Sequence, residues 1–290
     1  MAEHATLRHR QLGAVLRGRR IDAGLTLEMV ARRLTALDTM SAPKISRIEN
    51  GQYAVNPEDV RALCRVYQLD ETATDELVRI ASEAQRRGWW QEGIAGSLPL
   101  PYRRYIEYED TCAALSIFAP VFVPDLLQTA AYTRMLIAGL WPRTAAGEQA
   151  SLASILSRRQ YRFAAHEGPR VEVVLDTQVV LRSWGDRSVT RRQAAYLLEV
   201  SRHPQITLRV IPDGRIYPGA HTGYALMTLG DGAKPDRVGF VGGVLGGALM
   251  EGAEEISRYA DTFDQQRALA LGCDETRRWL RHALAGLGGI

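Results

Sequence analysis

Cysteine is scarce in this chain of 290 residues: Cys64, Cys112 and Cys273 are three, widely spaced and odd in number. That argues against a disulfide framework and fits a reducing cytoplasm. Lysine is scarcer still. Lys44 and Lys234 are the only two, and every other basic residue is arginine, which points to a GC-rich genome rather than to a function. No basic, apolar and small-residue leader opens the chain, and no apolar run reaches the ~18 residues that a membrane span needs. The expectation is a soluble, cytoplasmic protein with no membrane partner. His166, His203, His221 and His282 show no metal-ligand spacing with the cysteines or with one another. No serine sits in a GxSxG setting. Gly239 to Gly252 holds five glycines before Met250. It lacks both GxGxxG spacing and a following Lys-Ser/Thr, so a glycine-rich hairpin accounts for it better than a phosphate site. With no nucleophile, metal or cofactor motif, no catalytic residue, metal or cofactor is expected, and the chain reads as a non-enzyme.

What is present is enough chain for about two domains of ~100–200 residues each, with an ordinary 46% of hydrophobic residues. Net charge is only +3, so no whole-chain case for nucleic acid exists. Local charge says more. Arg8 to Arg47 carries nine basic residues against three acidic, a local +6, whereas Glu49 to Ala84 carries three against eight, a local −5. The first stretch has the bias that a phosphate backbone attracts.

Residues 1–87 read as five short helices. The first runs from about Leu7 to Ala23, with Leu12, Val15, Leu16 and Ile21 at helical spacing, and Gly24 ends it as a left-handed cap. Thr26 caps a second helix whose buried face is Val30, Ala31 and Leu34. The third is Ser41 to Gly51, SAPKISRIENG. Ser41 can cap it through its hydroxyl, and Pro43 is tolerable because it lies in the first turn. Ile45 and Ile48 face inward; Ala42, Lys44, Ser46 and Arg47 face out. Helices over Pro57–Tyr67 and Ala73–Arg86 complete the group.

Residues 12–69 resemble the lambda-repressor/Cro-like, XRE-type helix-turn-helix family. The residues that carry the resemblance are Arg20 to Thr26, Val30-Ala31 and Ile45-Ser46-Arg47-Ile48-Glu49-Asn50-Gly51. It implies double-stranded DNA as partner, with the second helix across the phosphates and the third reading bases. By position, Ala42, Pro43 and Arg47 fall where family members read base edges, and Ser46 lies beside them. Arg47 suits guanine O6/N7, a pairing worth roughly 1–3 kcal/mol of discrimination. Thr26, Ser41, Lys44 and Asn50 fall near phosphates. Arg20 and Glu49 occupy the places of a family pair that ties the first helix to the recognition helix. Two departures stand out: Leu27 where the family commonly has glutamine, and a longer turn, Thr35–Met40, which would let the second helix run on.

Residues 88–101 break the helical pattern with glycines and prolines and read as a linker. Its adjacent Trp89 and Trp90 either dock on a domain or open the second core. Residues 102–290 read as a mixed α/β (α+β) domain with a sheet of about four or five strands. A helix is expected over Tyr102–Leu115, and another opening at Val123. A long helix spans Ala145–His166, and strands fall near Ser116–Pro120, Val171–Leu175, Ile206–Ile211, Gly223–Leu229 and Arg237–Val241. Leu249-Met250 is a further candidate strand, and two helices close the chain. Glu107, Glu109 and Asp110 do not share one helical face, so a solvated face is expected of them. Asp176 and His221 could sit at the mouth of a site, though structural roles are the better reading.

This half is similar to the C-terminal domain of unknown function found in WhiJ-like actinobacterial regulators. The resemblance rests on Tyr102–Pro120, VPDLLQT at 123–129, SRRQ at 157–160, VEVVLD at 171–176 and VIPDG at 211–214. Asp125 stands where that family more often has glycine. The resemblance implies a transcription regulator, often encoded beside a small partner protein, and no catalytic role. The expectation is a homodimeric, sequence-specific DNA-binding regulator whose second domain dimerises and senses a partner protein or small-molecule effector. The alternative is a regulator whose second domain is enzymatic or toxin–antitoxin-like.

Overall fold

A computed structural model describes residues 7–34, 40–51, 53, 55–85, 98–163, 168–230, 236–242 and 246–288. The chain forms two compact units, Met1–Glu92 and Gly93–Ile290. Trp89 and Trp90, most of the expected linker and the Thr35–Thr39 part of the long turn lie outside the described residues. Leu98 and Leu100 belong to the second unit: Leu98 is buried and Leu100 opens a helix.

The first unit is all-helical: α1 (Leu7–Asp22), α2 (Leu27–Leu34), α3 (Ala42–Glu49), α4 (Pro57–Val66) and α5 (Glu71–Gln85). Local chemistry sets the helix ends. Gly24 adopts φ +67° after α1, and Gly51 adopts φ +61° after α3, a region that glycine enters without a β-carbon penalty. The Thr26 hydroxyl accepts from the Met29 N–H at 3.2 Å. Ser41 and Asn56 do the same for the N–H groups of Lys44 and Asp59. One core takes in Leu12, Leu16, Val30, Leu34, Ile45, Ile48, Leu63 and Tyr67. Val15 and Ile21, expected at core spacing, are exposed at 42% and 57%, so α1 buries a narrower stripe than its apolar residues suggest. Leu27, the departure from glutamine, packs against this core.

The second unit is built on a six-stranded mixed sheet in the order β3-β2-β1-β4-β5-β6. Its strands are β1 (Ala114–Ala119), β2 (Arg170–Asp176), β3 (Ile206–Ile211), β4 (Tyr224–Leu229), β5 (Asp236–Val241) and β6 (Ala248–Met250). Strands β1, β2 and β3 are mutually parallel, because each connection between them runs through helices. Those helices are α7 (Ala130–Leu140) and α8 (Ala146–Arg162) before β2, then α9 (Thr177–Leu181) and α10 (Arg187–Val200) before β3. The other pairings are antiparallel. Helix α6 (Leu100–Thr111) precedes the sheet; α11 (Ala253–Leu269) and α12 (Cys273–Gly288) follow it. Val173, Val174 and Leu175 of β2 are all buried, as a strand covered on both faces requires.

Three expectations are corrected here. The sheet has six strands, not four or five, since the three-residue β6 pairs antiparallel with β5. The helix expected through Leu115 stops at Thr111, where Cys112 turns extended and frees Ala114 to start β1. The helix expected from Val123 is only a 3-10 turn, Asp125–Leu127. Thr129, whose hydroxyl accepts from the Tyr132 N–H, starts α7 separately.

Candidate nucleic-acid interface

Helix α3 has two unlike faces. Ile45, Ile48 and Glu49 are buried, whereas Pro43, Arg47 and Asn50 are exposed and Ala42, Lys44 and Ser46 are half-buried. The inner face is tied down by ions as well as by packing. Arg20 Nε lies 2.8 Å from Glu49 Oε1, and Arg20 Nη2 lies 2.9 Å from Oε2, a bidentate pair. Arg20 Nη1 donates to the Leu25 carbonyl at 2.8 Å, so the same side chain also holds the turn into α2. The Tyr67 hydroxyl, from the end of α4, donates to Glu49 Oε1 at 3.1 Å.

Glu49 is only 4% exposed, so this carboxylate is a buried charge that Arg20 and Tyr67 satisfy together. Its hydrogen bond raises the pKa of the Arg20 guanidinium further. Burial, followed by the Glu49 charge, pushes the Tyr67 phenol well up and keeps it a donor. A glycine completes the junction. A β-carbon at Gly13 would meet the Ile48 and Glu49 carbonyl oxygens at 2.3 and 2.9 Å. Helix α1 can therefore lie against the end of α3 only because residue 13 has no side chain.

On the outer face, Lys44 Nζ forms a 2.9 Å salt bridge with Asp59 Oδ2, on α4. Arg47 Nε makes a long, 3.4 Å bond to the Pro43 carbonyl. Asn50 Nδ2 donates to Ser46 Oγ at 3.4 Å. The Tyr53 ring stands 5.9 Å from Lys44 Nζ and 5.8 Å from Arg47 Cζ. Thr26 and Ser41 are exposed at the starts of α2 and α3.

The sequence reading gives Tyr53, Asp59, Tyr67 and Gly13 no part in this site. Their signals were an aromatic two residues past a helix-ending glycine, an acid in the first turn of α4, a buried-side tyrosine, and a glycine inside a helix.

In the second unit, Glu109 is not on a solvated face. It is 6% exposed and bound by Arg159, itself 3% exposed, through 2.7 and 2.6 Å bonds. Arg159 Nη1 also donates to the Tyr102 hydroxyl at 2.8 Å and to Asp125 Oδ2 at 3.0 Å. The rings of Tyr102 and Tyr105 lie 5.8 and 5.4 Å from its Cζ. Burial opposes the Arg159 charge, but Glu109, Tyr102 and Asp125 outweigh it and raise the pKa well above its ordinary value. Gln160 Nε2 donates to the Asp125 and Gln128 carbonyls, both at 2.8 Å. The SRRQ, VPDLLQT and α6 stretches thus meet in one polar core. The sequence signal was a lone glutamate on the Tyr102, Tyr105, Ile106 stripe.

Asp176 has structural partners: it accepts from the Gln178 N–H at 2.8 Å and from the Tyr217 hydroxyl. His221 is exposed in a loop. Among the described residues, no group of three or more His, Cys, Asp or Glu could hold a metal ion. None of the described helices is long and apolar enough to cross a membrane.

Comparison with known proteins agrees with this division. A family model described as a helix-turn-helix domain matches residues 11–77, which contain α2, α3 and the Arg20–Glu49 clasp, and marks the first unit as a DNA-binding domain. No curated protein and no solved structure matches the chain. A second family model, described as a domain of unknown function (DUF5753), matches residues 102–282. As that match covers more than half of its length, the chain belongs to the family that carries this domain of unknown function, here joined to an N-terminal helix-turn-helix domain.

Proposed function

We propose that the chain is a sequence-specific transcriptional regulator that binds double-stranded DNA as a homodimer. In this reading it is an XRE-type protein of the WhiJ-like actinobacterial kind, and α3 is its recognition helix. One observation carries the reading: the inner face of α3 is locked by Arg20, Glu49 and Tyr67 while Pro43, Arg47 and Asn50 stand exposed on the other. A helix held that rigidly can enter a major groove without first paying to order itself.

Arg47 reads a guanine edge, with Ala42 and Pro43 beside it making apolar contacts with thymine methyl groups. Thr26, Ser41 and Asn50 lie near phosphates, and Ser46 orients Asn50. The second unit takes the dimerising and sensing role, for a small protein encoded nearby or a small-molecule effector, and it binds rather than catalyses. Supporting that choice, Asp176 and Glu109, two carboxylates that the sequence offered for acid–base work, are each bound by neighbouring side chains. An effector that alters pairing of the second units would alter the spacing of two recognition helices, ~34 Å apart on adjacent half-sites.

The test is protection of genomic DNA by the parent and by a folded Arg47→Ala variant. The parent should protect a two-fold symmetric site, and the variant should lose it. A single unpaired half-site would end the dimer reading; equal occupancy by both proteins would end the role of Arg47.

A further inference from the structure

Helix α3 presents Lys44 and Arg47 one turn apart, on neighbouring positions of its surface. Two like charges at that spacing repel, yet both lie against one ring: Tyr53, two residues beyond the left-handed Gly51. The ring stands 5.9 Å from Lys44 Nζ and 5.8 Å from Arg47 Cζ, and it is 41% exposed. Asp59 answers the Lys44 charge at 2.9 Å, and Asp59 is held in turn at the capped start of α4, where its N–H donates to Asn56 Oδ1. Among the described residues, the hydrogen bond that sets the direction of Arg47 is a long one, to its own helix carbonyl at Pro43.

We propose that Tyr53 is the positioning residue for base reading: its ring, braced by the Lys44–Asp59 pair, holds the Arg47 guanidinium toward the groove. This rests on the reading of α3 as a recognition helix. An arginine on a bare helix surface samples many rotamers and gives them up on binding. One laid against an aromatic face has given most of them up already. The guanidinium is planar and weakly hydrated, so it gains from a ring without losing the fork that matches guanine O6 and N7. Lys44, on this view, is a brace more than a phosphate contact.

The test uses the full chain and the tightest duplex that the parent selects from a random-sequence pool. Each guanine is replaced in turn by 7-deazaguanine, which lacks the N7 acceptor. For the parent, one replacement should weaken binding about fivefold or more, and Arg47→Ala should abolish that penalty. Tyr53→Leu should bind about two- to fivefold more weakly with a smaller 7-deazaguanine penalty, an unchanged salt dependence and an unchanged melting temperature. Tyr53→Phe, which keeps the ring, should match the parent. Adding Tyr53→Leu to Arg47→Ala should cost nothing further.

Three results overturn the inference alone: a Tyr53→Leu protein with the full guanine penalty, additive losses in the double variant, or Tyr53→Phe as weak as Tyr53→Leu with a shallower salt dependence. The last would make the hydroxyl a phosphate contact. A parent that selects no duplex, or none whose guanine N7 matters, overturns the Arg47 reading together with this inference.

Discussion

Gly13 crosses the end of α3 so closely that a β-carbon there would stand 2.3 Å from the Ile48 carbonyl oxygen. Alanine is the better helix former by up to ~1 kcal/mol, so on propensity alone Gly13→Ala should stabilise α1. The backbone contact should win instead, since a carbonyl cannot rotate away as a flexible side chain can. The expected result is a net loss of about 1–3 kcal/mol, read as a lower urea midpoint with an unchanged slope. Gly18, where a β-carbon would meet nothing within 4 Å, is the control and should gain slightly as alanine.

Arg20→Met should be among the costliest substitutions in the first unit. It leaves the Glu49 carboxylate buried with Tyr67 as its remaining partner. Breaking one side of a buried pair costs about 3–5 kcal/mol. The paired variant Arg20→Met with Glu49→Met should recover much of that loss in urea unfolding, because no uncompensated charge remains.

The same logic applies to the second unit. Arg159→Met strands Glu109, with Asp125 close by, and should destabilise that unit by about 3–5 kcal/mol. Asp261→Asn, exposed on α11 and outside this cluster, should change stability by less than ~0.5 kcal/mol. Chemical denaturation of the two variants, followed by tryptophan fluorescence, separates these outcomes.

Stability should fall on the alkaline side. Burial, with Glu49 for Tyr67 and with Glu109 for Tyr105, raises the folded-state pKa of the buried phenols Tyr67, Tyr102 and Tyr105. A group whose pKa is higher folded than unfolded contributes fully below its unfolded value, about 10 for tyrosine, and loses that contribution as pH rises further. Melting temperature should therefore be flat in these groups up to about pH 9.5 and drop above it. Tyr67→Phe should make that drop shallower.

How much was legible varies by unit. In the first, short-range rules were sufficient: Gly24, Thr26, Ser41, Pro43 and Gly51 act on backbone groups within about four residues. Arg20 and Glu49 were legible only because a resemblance supplied the pairing across 29 positions. In the second, Val171–Leu175 announced a buried strand by composition. Glu107, Glu109 and Asp110 looked alike, however, because a run of acids does not say which one the fold buries most deeply.

The amino-acid sequence by itself determined where α1 ends, where α3 starts and stops, and that a sheet follows. Each of those depends on hydrogen bonds and backbone angles settled among neighbours in the chain. Only the tertiary structure decided that Glu109 is buried on Arg159, 50 positions away, that Lys44 belongs to Asp59 and that Tyr53 lies beside Arg47. Those outcomes rest on desolvation and charge pairing between segments, and a charge becomes costly or useful only once the fold has removed water from around it.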